Sequence, residues 1–237
     1  MSTILEVKSL VKRFGGFTAI DGIDLSVEAG EMRCIIGPNG AGKSTFLRLV
    51  VGDYAPSMGA IYFNEEDISK VPPHKRIVKG LGIKFQVPGI FAELSVSENL
   101  AVSLQRCTLD RDLPVEIDRL LNFLDLEHQR ETLALNLSHG QQQWLEIGMA
   151  LGTRPTLLLL DEPTAGMSPE ETFKTGELVQ RLNAEGTTII AIEHDMAFVR
   201  QIARKVSVLH YGHVLCEGSI DEIENNEEVV RIYLGSA

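Results

Sequence analysis

The chain has 237 residues, 44% hydrophobic and 23% charged, with 33 Asp and Glu against 22 Lys and Arg for a formal net charge of −11. That length suits one large domain or two modest ones with a real core, and the apolar fraction excludes a disordered, collagen-like or linker-like chain. The acidic balance argues against sequence-independent nucleic-acid binding, and three scattered cysteines (Cys34, Cys107, Cys216) argue for a reducing compartment without a disulfide framework.

The first residues, Met1-Ser2-Thr3-Ile4-Leu5-Glu6, have no basic or apolar leader character, and Ser2 stands where myristoylation needs glycine. No apolar run approaches the ~20 residues of a membrane-spanning helix, so the sequence predicts a chain that is soluble or attached through partners. Ile23, Leu25 and Val27 alternate with Asp24, Ser26 and Glu28, the period of a half-buried antiparallel strand that turns at Ala29-Gly30-Glu31. The apolar run Cys34-Ile35-Ile36 leads into a glycine-rich loop and a helix over Thr45 to Val51; Cys34 itself reads as a small core residue.

Helical spacing follows over Ser97 to Gln105 and at Ile117, Leu120, Leu121 and Leu124 after Pro114. Residues 87–155 therefore read as a helical insert between the two parts, 1–86 and 156–237, of one α/β core. Apolar runs ending at Leu160 and Ile192, with a weaker one at Val206 to Leu209, are strands of a mostly parallel sheet covered on both faces. Ser168-Pro169-Glu170-Glu171 is a helix start that Gly186 closes, and Asp221 to Glu228 reads as a solvated helix face.

Gly37-Pro38-Asn39-Gly40-Ala41-Gly42-Lys43-Ser44, followed by Thr45, matches the P-loop pattern after a strand and before a helix. Its glycines turn backbone N–H groups toward phosphates, Lys43 reaches the outer phosphates and Ser44 offers a hydroxyl to Mg²⁺. The bland reading is a glycine-rich turn with an exposed lysine. At the end of Leu157-Leu158-Leu159-Leu160, Asp161 is placed at the metal, and Glu162 is either the general base that polarises the attacking water or a capping carboxylate. Ser138 and Gly140 open another helix whose N-terminus can cradle an anion. His74, His128, His139, His210 and His213 form no metal set, since Gly212 puts a turn between the last two.

Leu137-Ser138-His139-Gly140-Gln141 resembles the signature of the ABC ATPases, and with it the other motifs fall into that family's order along nearly the whole chain. The resemblance implies that two such domains close head to tail around two ATP molecules with Mg²⁺, with Ser138, Gly140 and Gln141 serving the partner's nucleotide. It implies Glu162 as general base, His194 as a γ-phosphate contact, Gln86 as a metal ligand tied to movements of the helical insert, and Phe14 as the ring stacked on adenine. Taken singly, His194 also reads as a structural histidine, Gln86 as uninformative and Phe14 as a packing residue. Two departures stand out. His139 replaces the first signature glycine, and Ala165-Gly166-Met167-Ser168 ends in serine where the family has an aspartate, although Ser168 can still cap the next helix.

Within the family, the stretches from Arg76 to Gln86 and from Ile90 to Leu100 resemble the branched-chain amino acid and urea import ATPases, and Leu137 to Met149 the urea type most closely. Glu193-His194-Asp195-Met196 and Val230 to Gly235 fit both. Such a protein would sit on the cytoplasmic face of the membrane, bound to permease subunits and a second ATPase, served by an external solute-binding protein, and would not bind nucleic acid. Ile90-Phe91 would meet the permease or simply pack. The alternatives are an exporter-type cassette and a soluble ABC protein; a single motif set and a short insert weigh against the latter.

Overall fold

The alternation at residues 23–28 belongs to a pair of long antiparallel strands, β1 (Thr3–Phe14) and β2 (Phe17–Glu28), joined at Gly15, whose φ of +57° suits a tight hairpin. In the computed structural model residues 2–86 and 89–234 are described, the side chains of Tyr233 and Leu234 excepted. Every residue of β3 (Met32–Ile36) is buried, Cys34 included, and the strand runs through the glycine-rich loop into α1 (Lys43–Val51). That helix starts two residues earlier than the apolar pattern suggested, because the left-handed Gly42 sets Lys43 directly at its first turn. β4 (Met58–Phe63) and the short β5 (Glu66–Asp67) extend the first pair into a four-stranded antiparallel sheet, β2-β1-β4-β5. α2 (Pro73–Val78) carries Arg76, whose buried guanidinium donates to the Leu49 and Val50 carbonyls at the end of α1 and to Val71 O. Orphan carbonyls at a helix C-terminus attract a cation, and burial pushes the Arg76 pKa down to about 10.

After β6 (Leu81–Lys84) the chain forms α3 (Val96–Leu104), α4 (Leu113–Phe123) and α5 (His139–Leu151), with no strand between them among the described residues. α3 opens on a capping box of Ser95 and Glu98, and α5 on one of Ser138 and Gln141. Ile117, Leu120 and Leu121 on α4 point inward as their spacing predicts. α5 passes so close to its neighbours that a Cβ on Gly148 would lie 2.4 Å from Leu124 Cδ1. The apolar side chains of these helices join one core with Leu158 and Leu160 of the sheet. Residue 87, where the insert was expected to begin, lies outside the described residues.

β7 (Leu157–Asp161), α6 (Pro169–Ala184), β8 (Thr188–Ile192), α7 (Met196–Ile202), β9 (Lys205–His210) and β10 (His213–Gly218) complete the second sheet, ordered β10-β9-β3-β8-β7-β6. All neighbours are parallel except β10, which turns back from β9 at Tyr211-Gly212 as the glycine suggested. Leu157 to Leu160 are buried on both faces, at ~1.5–3 kcal/mol for each such side chain. The α/β architecture with a mostly parallel sheet and an antiparallel N-terminal part is the one read from the sequence. The acidic tail differs: it forms two helices, α8 (Ile220–Glu224) and α9 (Glu227–Leu234). Asn226 Oδ1 accepts from Glu228 N and Val229 N and so starts the second helix, while Ile223 and Val229 are buried. Gly235 lies outside the described residues.

Candidate nucleotide site

The parallel strands put the carboxyl ends of β3, β8, β7 and β6 side by side, and every loop leaving them carries a residue singled out by the sequence. Open α/β sheets bind ligands at that edge. The loop after β3 demands its glycines. A Cβ on Gly37 would stand 2.2 Å from Leu209 O, and one on Gly42, at φ +105°, 2.8 Å from Ala19 O. At Gly40, φ +81° suits glycine although the space beside it is open. Pro38 is half-buried, Asn39 and Gly40 are exposed, Ala41 is buried, and Ala41 N donates to Pro38 O at 3.1 Å. The N-terminus of α1 has no side-chain cap, so its first-turn N–H groups stay available to an anion. Lys43 Nζ folds over the loop, 2.6 Å from Gly37 O and 3.2 Å from Pro38 O. Burial lowers the Lys43 pKa, opposed by the nearby Glu162 and Asp161. Ser44 is exposed and Thr45 half-buried on the first turn of the helix.

Three loops converge on Glu162. Gln86 Nε2 donates to its Oε2 at 2.8 Å, and His194 Nδ1 lies 3.9 Å from its Oε1. The Glu162 backbone sits at φ +46°, a strained setting for a non-glycine residue, held by Glu162 N donating to Ile192 O at 2.9 Å and Ala165 N to Glu162 O at 3.2 Å. Beside it Asp161 is 7% exposed, and burial, then the charge of Glu162, push its carboxyl above the usual range. Its Oδ1 is buried without a hydrogen-bond partner. An orphaned carboxylate oxygen among oxygen-bearing side chains fits a hard divalent cation, and Ser44 and Gln86 are the other donors of the expected set.

Ser138, Gly140 and Gln141 open a different helix, whose His139 lies 2.8 Å from the Ala165 carbonyl in the loop after Glu162. Ser138 Oγ and the Gln141 side chain close the capping box of α5, and the first turn of α5 packs on the start of α6, where a Cβ on Gly140 would be 2.5 Å from Glu171 Oε1. Phe14 ends β1, 41% exposed, with its ring edge-on to Tyr54 at 5.1 Å and the Lys12 ammonium 4.9 Å from its centroid. Ile90 turns inward onto the helical core while Phe91 is 48% exposed, so the pair does not act as one apolar patch. Ser168 caps α6 as its sequence position allowed.

Three polar groups beside the site escaped sequence reasoning: Glu193, Thr164 and the pair Lys84–Glu146, all buried. The only advance signal was position, a glutamate directly before His194 and a lysine two residues before Gln86.

A family model described as ABC transporter matches residues 20–165. The high-affinity branched-chain amino acid transport ATP-binding protein BraF of Pseudomonas aeruginosa is 36% identical, over 99% of this chain and 98% of that protein. Among solved structures, the ADP conformation of MJ1267, an ATP-binding cassette of an ABC transporter, superposes with a TM-score of 0.90 at 32% identity, covering 99% of this chain and 100% of that one. The dimeric structure of MJ0796, a bacterial ABC transporter cassette, gives 0.83 at 25% identity over 92% and 99% of the two chains.

Proposed function

The chain belongs to the ABC transporter family of ATP-hydrolysing cassettes, and from that premise we propose that it is the energising subunit of an importer for branched-chain amino acids or similar small polar solutes. The observation that supports the hydrolytic role best is the convergence of Gln86, Glu162 and His194 beside Lys43 and Asp161 at one sheet edge. In this reading Gly37 to Thr45 bind the ATP phosphates, with Lys43 at the β- and γ-phosphates. Ser44, Gln86 and Asp161 would hold Mg²⁺, which when bound offsets phosphate charge. Glu162 takes the proton of the attacking water, with its carboxylate oriented by the Gln86 amide. His194 contacts the γ-phosphate from the loop after β8, and Phe14, already braced by Tyr54, carries the adenine.

Ser138, Gly140 and Gln141 complete the site of a second ATPase chain. Their place at the start of α5, a helix other than the one the P-loop opens, supports this, as does the dimeric state of the related MJ0796. No described helix is long and apolar enough to cross a membrane, so attachment runs through permease subunits, with Phe91 as an exposed apolar contact. The name of BraF puts branched-chain amino acids ahead of urea as cargo. An external solute-binding protein would deliver it.

Tagged Glu162→Gln protein, recovered with ATP from gently solubilised native membranes, tests this. Two polytopic proteins and a second ATPase are expected with it, and vesicles carrying the wild-type assembly should accumulate leucine when ATP is supplied. Recovery from the soluble fraction alone would remove the transporter and leave the ATPase. Lys43→Ala should lose ATP binding, and undiminished affinity would count against the P-loop reading.

A further inference from the structure

Among the described residues, some buried charges are answered by ion pairs, while Arg76, Asp161 and Glu193 make no ion pair with an oppositely charged Lys, Arg, Asp or Glu. Arg33 meets Glu31 and Glu217, and Lys84 meets Glu146. Glu193 is 0% exposed and, among the described residues, pairs with no Lys or Arg; its one ionisable contact is His194 Nδ1, 3.8 Å from its Oε2. Instead it collects neutral donors. Oε1 accepts from Thr164 N at 3.0 Å and Thr164 Oγ1 at 2.6 Å, and Oε2 from His194 N at 3.0 Å and Asp195 N at 3.4 Å. The buried Lys84 attracts this carboxylate without making an ion pair with it, and removing a carboxylate from water without a direct ion pair is costly.

The geometry shows what this carboxylate joins. Thr164 lies two residues after Glu162, in the loop that keeps Glu162 at its strained φ of +46°. His194 is the next residue after Glu193, and its ring reaches the other oxygen of Glu162. Glu193 N also donates to Ile35 O, at the end of the strand that enters the P-loop. One buried side chain therefore ties the loop after β7 to the loop after β8 at the level of the proposed reacting groups.

We propose that Glu193 is a positioning residue of the hydrolytic site, fixing the His194 backbone and the loop after Glu162 in one register through its four accepted hydrogen bonds. This rests on the roles given to Glu162 and His194 above. Fully buried, it acts through those two.

The test uses the full chain with magnesium and ATP. Glu193→Gln keeps the shape but puts an NH₂ where an acceptor stood: turned one way it faces the N–H groups of His194 and Asp195, turned the other it faces the N–H of Thr164, with only the Thr164 hydroxyl able to accept from it. kcat should fall about tenfold or more while KM for ATP moves less than about threefold, the signature of lost alignment. Thr164→Val, which removes only the hydroxyl donor, should lower kcat by about threefold. In a His194→Ala background, Glu193→Gln should cost clearly less than it does alone, because the residue that it aligns is gone. An unchanged kcat in folded Glu193→Gln, or the same fold-loss with and without His194, overturns the proposal. If Glu193→Gln does not fold, Thr164→Val decides, and wild-type kcat in that variant overturns it. Wild-type turnover by His194→Ala alone would instead remove the role of His194, a different result from slow His194→Ala beside fast Glu193→Gln.

Discussion

Where the ABC signature has its first glycine, this chain places an imidazole whose Nε2 lies 2.8 Å from the Ala165 carbonyl. A carbonyl only accepts, so Nε2 carries the proton and His139 donates. Gln143, buried behind it with Nε2 at 3.3 Å from the same ring nitrogen, has an Oε1 without a partner, and turning the amide over would let that oxygen share the proton. The donor grips the loop that follows Glu162, since Ala165 N itself donates to Glu162 O. A hydrogen bond of this kind contributes ~0.5–1.5 kcal/mol, so His139→Gly should speed amide exchange at Gly166 and Met167 by about two- to tenfold. Exchange at the wild-type rate, measured by mass spectrometry of the peptide spanning them, would show that His139 does not hold the loop. The histidine was visible in the sequence as a departure, but its partner is 26 residues away and belongs to another loop. P-loop residues were legible because their chemistry is local, eight or nine consecutive positions bracketed by a strand and a helix. Glu193 and Thr164 were not, because their meaning comes only from burial and from the adjacency of β7 and β8.

At the scale of elements, the short β6 shows the same limit. Its four residues include Lys84, so no apolar run marks it, yet Lys84 is fully buried. Its ammonium lies 3.7 Å from Glu146 on α5, and the other Glu146 oxygen accepts from Gly89 N at 3.0 Å. The strand before Gln86, the segment after it and the signature helix thus share one buried ion pair. Burial lowers the Lys84 pKa and raises that of Glu146, each against the attraction of its partner, so desolvation outweighs the pairing. Removing one member leaves the other charged and buried, at ~3–5 kcal/mol, while replacing both with apolar residues is often close to neutral. Lys84→Met and Glu146→Leu should each lower stability in urea by about that amount, and the double variant should recover most of the loss. Strictly additive losses would mean that the two charges are held by other groups. Part of β2, the core strands β3, β7 and β8 and the helix α6, by contrast, were legible from alternation, apolar runs and the Ser168-x-x-Glu171 spacing, all of which rest on neighbours close in sequence.

For the molecule as a whole, the question is where a complete site is made. The P-loop lies between β3 and α1, braced by the β1–β2 hairpin and the β9–β10 turn, whereas Ser138 opens α5 against α6. Two helix starts suited to phosphate therefore sit on separate elements of one chain, and in the dimer proposed above a complete site draws one from each of two chains. Glutamate at position 138 would set a carboxylate where the partner's phosphates must come, and the weaker cap would cost about 1 kcal/mol, too little to unfold the domain. Ser138→Glu should therefore bind ATP and fail to turn it over. Lys43→Ala should fail for the opposite reason, having a sound signature and no phosphate grip. Mixed in equal amounts, they can form a dimer with one intact site, the P-loop from one chain and the signature from the other. Turnover in the mixture, where neither variant alone is active, is the expected outcome. A silent mixture, or wild-type turnover by Ser138→Glu alone, would place the whole reaction within a single chain.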